Sequence, residues 1–176
     1  RHDLHERLYI DAVNAGKDLL AETPLGIDAG AARRVIAAAE ASGSFVRISS
    51  EFPFFPGAQA AIAFASSGSA GELIAVRSGF LHSSDIGPQK PINWRRQAQY
   101  CGRAGVMNDL GMHAWRVQLR LGWHPVSLSA QLQDLVPFRP GPDGAEVPCD
   151  TWENAAIHAE LAGSGILDVR VDRIAP

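Results

Sequence analysis

The apolar residues of segment 1–50 alternate between helical and extended spacing, with links of only a few residues, and this rhythm restricts the fold more than any other feature of the chain. Leu4, Leu8, Ala12 and Val13 recur near helical spacing and stop at Gly16, which predicts a helix with one apolar face and a glycine stop. Asp18-Leu19-Leu20-Ala21 reads as a short buried strand broken by Pro24, because a residue before proline is pushed out of the helical region. Asp28 is placed to cap a second helix that presents Ala32, Val35, Ile36 and Ala39 on one side and ends at Gly43. Phe45 to Ile48 is the next strand. Helix, strand, helix, strand with short links is the rhythm of a parallel α/β sheet.

Composition shifts at Glu51-Phe52-Pro53-Phe54-Phe55-Pro56-Gly57, which cannot continue a helix and reads as a crossover between domains. Its aromatics either seal that junction or meet a ligand. A small-residue helix over 58–65, a turn cluster over 66–71 and a strand from Leu73 to Phe80 follow. His82 to Trp94 is irregular, and a loop of that length often binds something. Met107, Leu110, Ala114, Val117 and Leu121 then follow 3, 4, 3, 4 spacing, which predicts one helix with a buried stripe, stopped at Gly122. Val126, Leu128, Ala130 and Leu132 alternate as a strand with one apolar face. Pro137 to Pro148 is a turn-rich insertion, and Ala155 to Leu161 is a strand. Gly163 and Gly165 make a hairpin turn into a strand whose Leu167, Val169 and Val171 oppose Asp168, Arg170 and Asp172. The second part is thus a helix plus mainly hairpin-joined strands, an α+β layer whose sheet reads as unfinished at Pro176.

Composition removes several function classes. The chain has 176 residues, enough for one average domain or parts of two. Its 16 basic and 19 acidic residues leave a net charge of -3, which argues against a broad nucleic-acid surface. No apolar run is long enough for a membrane span, and the polar start RHDLHERLY does not read as a signal peptide. Cys101 and Cys149 stand far apart, with no CxxC and no Cys/His cluster at zinc spacing. Two reduced thiols in a cytoplasmic protein is the plain expectation. All but two of the 16 basic residues are Arg, the lysines being Lys17 and Lys90.

The candidate chemistry lies on the most periodic helix. Asp109 and His113 are four apart, close enough on an α-helix for the carboxylate to orient the imidazole or raise its basicity. Arg116 and Arg120 continue that face. The same spacing also suits a solvated polar face, and two ligands are too few for a metal. Gly105 and Gly111 bracket the pair, and a glycine inside a helix signals close packing against a ligand, a strand or another neighbour. Trp94-Arg95-Arg96 suits either an anionic or sugar-like ligand or a stacked surface triplet. His5, His82, His124 and His158, and likewise Trp115, Trp123 and Trp152, read as structural residues.

With these segments in order, the chain resembles the Gfo/Idh/MocA family of NAD(P)-dependent sugar oxidoreductases, and within it the glucose–fructose oxidoreductase-like branch. Gly16-Lys17-Asp18-Leu19-Leu20-Ala21-Glu22-Thr23-Pro24-Leu25 resembles the family segment AGKHVLCEKPL. Gly105-Val106-Met107-Asn108-Asp109-Leu110-Gly111-Met112-His113 resembles its glycine-rich D-x-G-x-H motif, and Thr151 to Ala155 and Arg173 to Pro176 resemble segments of the branch's open sheet. The resemblance covers nearly the whole chain. It implies the later part of a Rossmann domain over 1–50 and the first part of an α/β substrate domain over 51–176, its sheet open, mainly antiparallel and able to form a homo-oligomer interface. The family's dinucleotide loop lies before this point, and no G-x-G-x-x-G occurs here, so a partial chain is expected.

The resemblance further implies NAD or NADP as cofactor, contacted here by Glu22, Thr23 and Pro24, and a small sugar or polyol as substrate, contacted by Trp94, Arg95, Asp109 and His113. Catalysis falls to His113 as proton carrier, Asp109 as holder of sugar hydroxyls, and Thr23 at the position of the motif lysine. Threonine there offers a neutral hydrogen bond only, and Arg116 stands where relatives often carry an acid. Three readings follow: hydride transfer from a sugar hydroxyl, a non-catalytic sugar-binding or scaffolding relative, and NAD-dependent glycoside cleavage through transient oxidation.

Overall fold

The computed structural model describes residues 1–163 and 165–176. Helix α1 (His2–Asn14) leads into strand β1 (Leu19–Ala21), helix α2 (Ala29–Ser42) and strand β2 (Val46–Ile48). β1 and β2 pair in parallel, with Leu19 opposite Val46. The ends of α2 are set locally: the Asp28 carboxylate accepts a 2.7 Å hydrogen bond from the Ala31 amide, and Gly43 closes the helix at φ 69°, an L-forbidding conformation that glycine adopts freely. Tyr9, Ala21 and Val35 form the core of this unit, with Leu19, Leu25, Val46 and Ile48 packed on it.

Two helix faces differ from those the spacing predicts. α1 buries His2, Tyr9 and Val13, while Leu4 and Leu8 are exposed. Each polar group on that stripe has a carbonyl to bind: His2 Nδ1 donates to Cys101, His5 Nδ1 to Pro24 and the Tyr9 hydroxyl to Glu22. A satisfied aromatic buries more surface than an aliphatic of similar position, so this stripe displaces the leucines. On α2 the buried residues are Ala31 and Val35, and Ile36 is exposed. The short strand β1 is likewise not buried throughout, since Leu20 lies open.

After a 3-10 turn at Phe52–Phe54 comes α3 (Pro56–Ser66), none of whose residues is buried. Strand β3 (Ala75–Leu81) follows, then the irregular stretch, a 3-10 turn at Trp94–Arg96 and the short α4 (Ala98–Cys101). The 107–121 segment is not one helix. A π turn at Met107–Gly111 is succeeded by α5 (Met112–Ala114) and α6 (Arg116–Arg120). Gly111 explains part of this: a Cβ there would lie 2.6 Å from the Met107 methyl. The missing side chain is therefore filled by a residue of the same turn rather than by a ligand or a strand. Gly105, at φ +45°, lies against the Thr151–Trp152 backbone, where a Cβ would stand 2.5 Å from the Trp152 carbonyl oxygen.

The remaining strands are β4 (Pro125–Gln133), β5 (Phe138–Pro140), β6 (Glu146–Pro148), β7 (Asn154–Leu161) and β8 (Ile166–Asp172). The main sheet has the order β3-β8-β7-β4. β7 pairs antiparallel with both β8 and β4, whereas β3 runs parallel to β8, a long-range pairing that hairpin reasoning did not foresee. The hairpin turn expected at Gly163 and Gly165 spans Ser164, which lies outside the described residues. The 137–148 insertion is itself a hairpin of β5 and β6.

Leu167, Val169 and Val171 join Ala155, Ile157, Ala159 and Leu161 in a core closed by Val106 and Leu110. β4 continues that face, with Leu128 opposite Ala159 and Ala130 opposite Ile157, but Leu128 is exposed. The apolar alternation of β4 is real, but at the sheet edge only Leu132 packs on the core, and Val126, Leu128 and Ala130 are exposed.

Candidate active site

A cavity of ≈370 Å³ opens where the carboxyl ends of β1 and β2 meet α1, the Trp94–Arg96 turn and the π turn. Parallel α/β units receive ligands at that end of the strands. Glu22 and Thr23 enter from β1, Ser49 and Glu51 from β2, His2 and His5 from α1, and Trp94, Arg95, Asp109 and His113 from the second layer. Six of the seven site residues named from sequence therefore share one cavity. Pro24 is outside its lining; it forms a cis bond with Thr23, and its carbonyl accepts from His5 Nδ1 at 2.7 Å. Asn108 ties the two layers together beside the cavity, its amide donating to the Ile27 carbonyl at 2.8 Å and to that of Cys101 at 3.1 Å.

Asp109 and His113 do not form the bonded pair that helical spacing suggests. The intervening turn is π, so loops close on the fifth residue rather than the fourth. Asp109 instead pairs with Arg95 at 3.3 Å and with the buried Arg173, and His2 Nε2 stands 3.8 Å away. His113 packs against Phe52, ring centroids 4.6 Å apart, and against Phe80 at 5.9 Å. Its Nδ1 is buried with no hydrogen-bond partner among the described residues. Burial chiefly, and Arg116 to a lesser degree, lower its pKa, opposed by the charges of Glu51 and Glu22. The ring is thus held neutral near pH 7, the form that accepts a proton.

His2 and Arg173, like Ser49 and Glu51, are residues at the site that the sequence left unassigned. His2 is almost fully buried, edge-on to Trp94 with centroids 4.9 Å apart. Because its Nδ1–H donates to the Cys101 carbonyl at 3.3 Å, a neutral ring keeps its lone pair on Nε2, the nitrogen nearest Asp109. Burial is the main cause that brings its pKa down to about 4. The signal for it was its spacing of three and seven from His5 and Tyr9, a single helix face leading to Thr23. His5, read as structural, does serve the backbone, yet it also lines the cavity. Arg173 lay in a segment matched by resemblance only to the open sheet, with no site role attached.

The Trp94-Arg95-Arg96 triplet divides. Arg95 stacks on Trp94, its guanidinium 4.3 Å from the ring, and reaches Asp109. Arg96 is fully buried and pairs with Glu153 at 3.0 Å, so it is no surface residue. Arg116 and Arg120 leave the Asp109 face and line a different cleft with Arg47. A broader depression of ≈620 Å³ lies on the outer sheet face beside Arg77, His158, Asp168 and Arg170. Among the described residues no cluster of three His, Cys, Asp or Glu could hold a metal ion, and no helix is long and apolar enough to cross a membrane.

No protein-family model matches the sequence. Levoglucosan dehydrogenase of Pseudarthrobacter phenanthrenivorans is 22% identical over 97% of the chain. An NAD-binding oxidoreductase of Klebsiella pneumoniae superposes with a TM-score of 0.91 at 25% identity, over 99% of the chain. An oxidoreductase domain protein of Kribbella flavida gives 0.90 at 26%, also over 99%. The chain shares the fold of these oxidoreductases, as its resemblance to the Gfo/Idh/MocA family implied. It spans about half the length of these relatives, 47% of the dehydrogenase and 46% and 47% of the two solved structures. In this chain the mixed layer that carries β3, β4, β7 and β8 presents the π turn toward the ends of β1 and β2, which is why residues more than eighty positions apart, such as Thr23 and Asp109, face one cavity.

Proposed function

We propose that the protein to which this chain belongs is an NAD(P)-dependent oxidoreductase acting on a sugar or polyol hydroxyl, with residues 1–50 contributing to the dinucleotide domain and 51–176 to the substrate domain. The observation that carries this reading is the shared cavity: Glu22, Thr23 and Ser49 at parallel strand ends face Asp109 and the neutral His113. The residues present fit the nicotinamide end of the cofactor, because the strand ends are open and polar there and Thr23 offers a hydroxyl. When bound, that cofactor supplies the two-electron hydride chemistry.

The chain's own residues position the substrate and handle the proton. Asp109, fixed by Arg95 and Arg173, accepts hydrogen bonds from a sugar hydroxyl. His113 takes the proton of the reacting hydroxyl, its apolar Phe52 and Phe80 walls keeping it neutral beforehand. Trp94, held by His2 and Arg95, presents a flat wall to the sugar ring. A solved relative binds NADH together with levoglucosan, which supports a sugar-sized substrate here. The two free, buried thiols suit a reducing cytoplasm, and the open outer face of the sheet is the surface we assign to a homo-oligomer.

The test is a panel of sugars and polyols with NAD(H) and NADP(H), followed at the nicotinamide absorbance, on full-length protein. His113→Asn is expected to lower kcat by at least about 100-fold with folding intact; undiminished turnover removes His113 from the proton step. Sugar binding without any cofactor reduction across the panel supports the non-catalytic reading instead, which the neutral Thr23 favours.

A further inference from the structure

A separate cleft of ≈350 Å³ lies between β2, the Pro53–Phe54 turn and α6. Arg47, Arg116 and Arg120 line it together with Ser50. None of the three arginines is paired with a carboxylate among the described residues, and no acidic side chain lines the cleft. Arg116 Nε and Nη2 and the Ser50 hydroxyl are buried without hydrogen-bond partners. Arg120, itself exposed, lies over the Phe54 ring at 5.7 Å, which tethers its head at the rim of the cleft.

This arrangement is unfavourable as it stands. Buried donors without acceptors are rare, and those of a charged group are the costliest to leave unmade. Burial first, and then the repulsion of Arg120 and Arg47 around the same opening, lower the pKa of Arg116. All the free groups are donors on Arg116, or a hydroxyl that can donate, and the surrounding charge is positive. What satisfies them is an acceptor-only, negatively charged group with several oxygens, matching the planar guanidinium fork.

We propose that the Arg47–Arg116–Arg120 cleft is a binding site for an oxyanion, a carboxylate or phosphate group, which accepts from Arg116 and Ser50. The inference does not depend on the dehydrogenase reading. It has a consequence for the cavity: Arg116 is three residues from His113 and depresses its pKa, while Glu51 and Glu22 are the charged groups facing the ring that act in the opposite sense. An anion on Arg116 removes its influence, so His113 titrates at higher pH when the cleft is filled. The oxyanion has two sources, a free anion in solution or an acidic side chain of the full-length protein.

Titration of inorganic phosphate into full-length protein, read by calorimetry and by the imidazole resonances of His113, separates the outcomes. A free-anion site shows saturable phosphate binding, an upward shift in the His113 titration, and at least a tenfold loss of affinity in both Arg47→Gln and Arg120→Gln. A side-chain occupant shows no phosphate binding in the parent, and a phosphate-free crystal structure of the full-length protein places a carboxylate within hydrogen-bond distance of Arg116. The proposal is overturned if phosphate binds equally well to Arg47→Gln and Arg120→Gln, or if phosphate does not bind and no carboxylate lies against Arg116.

Discussion

Replacing His2 by Gln removes a buried ring whose protonation the fold resists. The ring is about 3% exposed, and burial, with smaller contributions from His5 and Arg95, moves its pKa from 6.5 to about 4. In the unfolded chain the same ring titrates at its ordinary value. Below that value the unfolded state takes up a proton that the folded state refuses until about pH 4, so stability is full above roughly pH 6.5 and falls through that window. The linkage relation gives a loss of about 2 kcal/mol by pH 5 and about 3 kcal/mol by pH 4. Gln keeps a polar side chain without that titration, so the variant is expected to start somewhat less stable and to lose about 2 kcal/mol less than the parent between about pH 7.5 and pH 5. Urea unfolding of both proteins at the two pH values measures this directly. Equal losses would show that His2 is solvated or already protonated in the native protein, and the placement of its ring under Trp94 would be wrong.

Gly105→Ala is expected to destabilise by at least about 2 kcal/mol, since it combines a left-handed conformation with a collision on the Trp152 backbone. Gly111→Ala meets only the flexible tip of Met107 and is expected to cost less, so a reversed order in urea midpoints refutes the packing account. Glu153→Gln leaves the buried Arg96 and Arg139 without their shared carboxylate, and a loss of about 3 kcal/mol in the same assay is expected. A cost below about 1 kcal/mol would show those arginines satisfied without it. Thr23→Lys is expected to raise kcat/KM for the best sugar substrate by about 10-fold, or about 1.4 kcal/mol; flat or falling activity refutes a charge deficit at that position.

What was legible in the sequence is what local chemistry decides. The ends of α2 follow from Asp28 and Gly43, and the two faces of β8 follow from strict alternation over 167–172. Glu22 and Thr23 were found through resemblance, Asp109 and His113 first through their spacing of four, and all four share a cavity. What spacing misjudged depends on distant partners. The leucine stripe of α1 lost to His2, His5 and Tyr9 because carbonyls of Cys101, Pro24 and Glu22 were in reach, a fact no window of α1 contains. The apolar pattern over 107–121 is real, but a π turn leaves no mark on a three-four repeat. Arg173 reaches Asp109 from beyond the last strand, a contact across more than sixty positions.

The π turn has a chemical result that the helical reading could not contain. On a regular helix Asp109 would orient His113 and share its proton. Here the carboxylate is engaged by Arg95 and Arg173, while the imidazole sits between Phe52 and Phe80 with one nitrogen unpartnered. The two roles we propose, holding a hydroxyl and moving its proton, therefore fall to separate groups with opposite environments, one ionic and one apolar. Of Arg95, Arg96 and Arg116, Arg96 is committed to Glu153 and Arg116 lines the other cleft, so neither replaces a missing lysine charge beside Thr23. Arg95 lines the cavity but is already paired with Asp109. In the proposed reaction an alkoxide forming beside Thr23 would face Glu22 and Glu51 with little free positive charge from these residues, so charge stabilisation there would rest on the cofactor, when bound, and on proton transfer at His113.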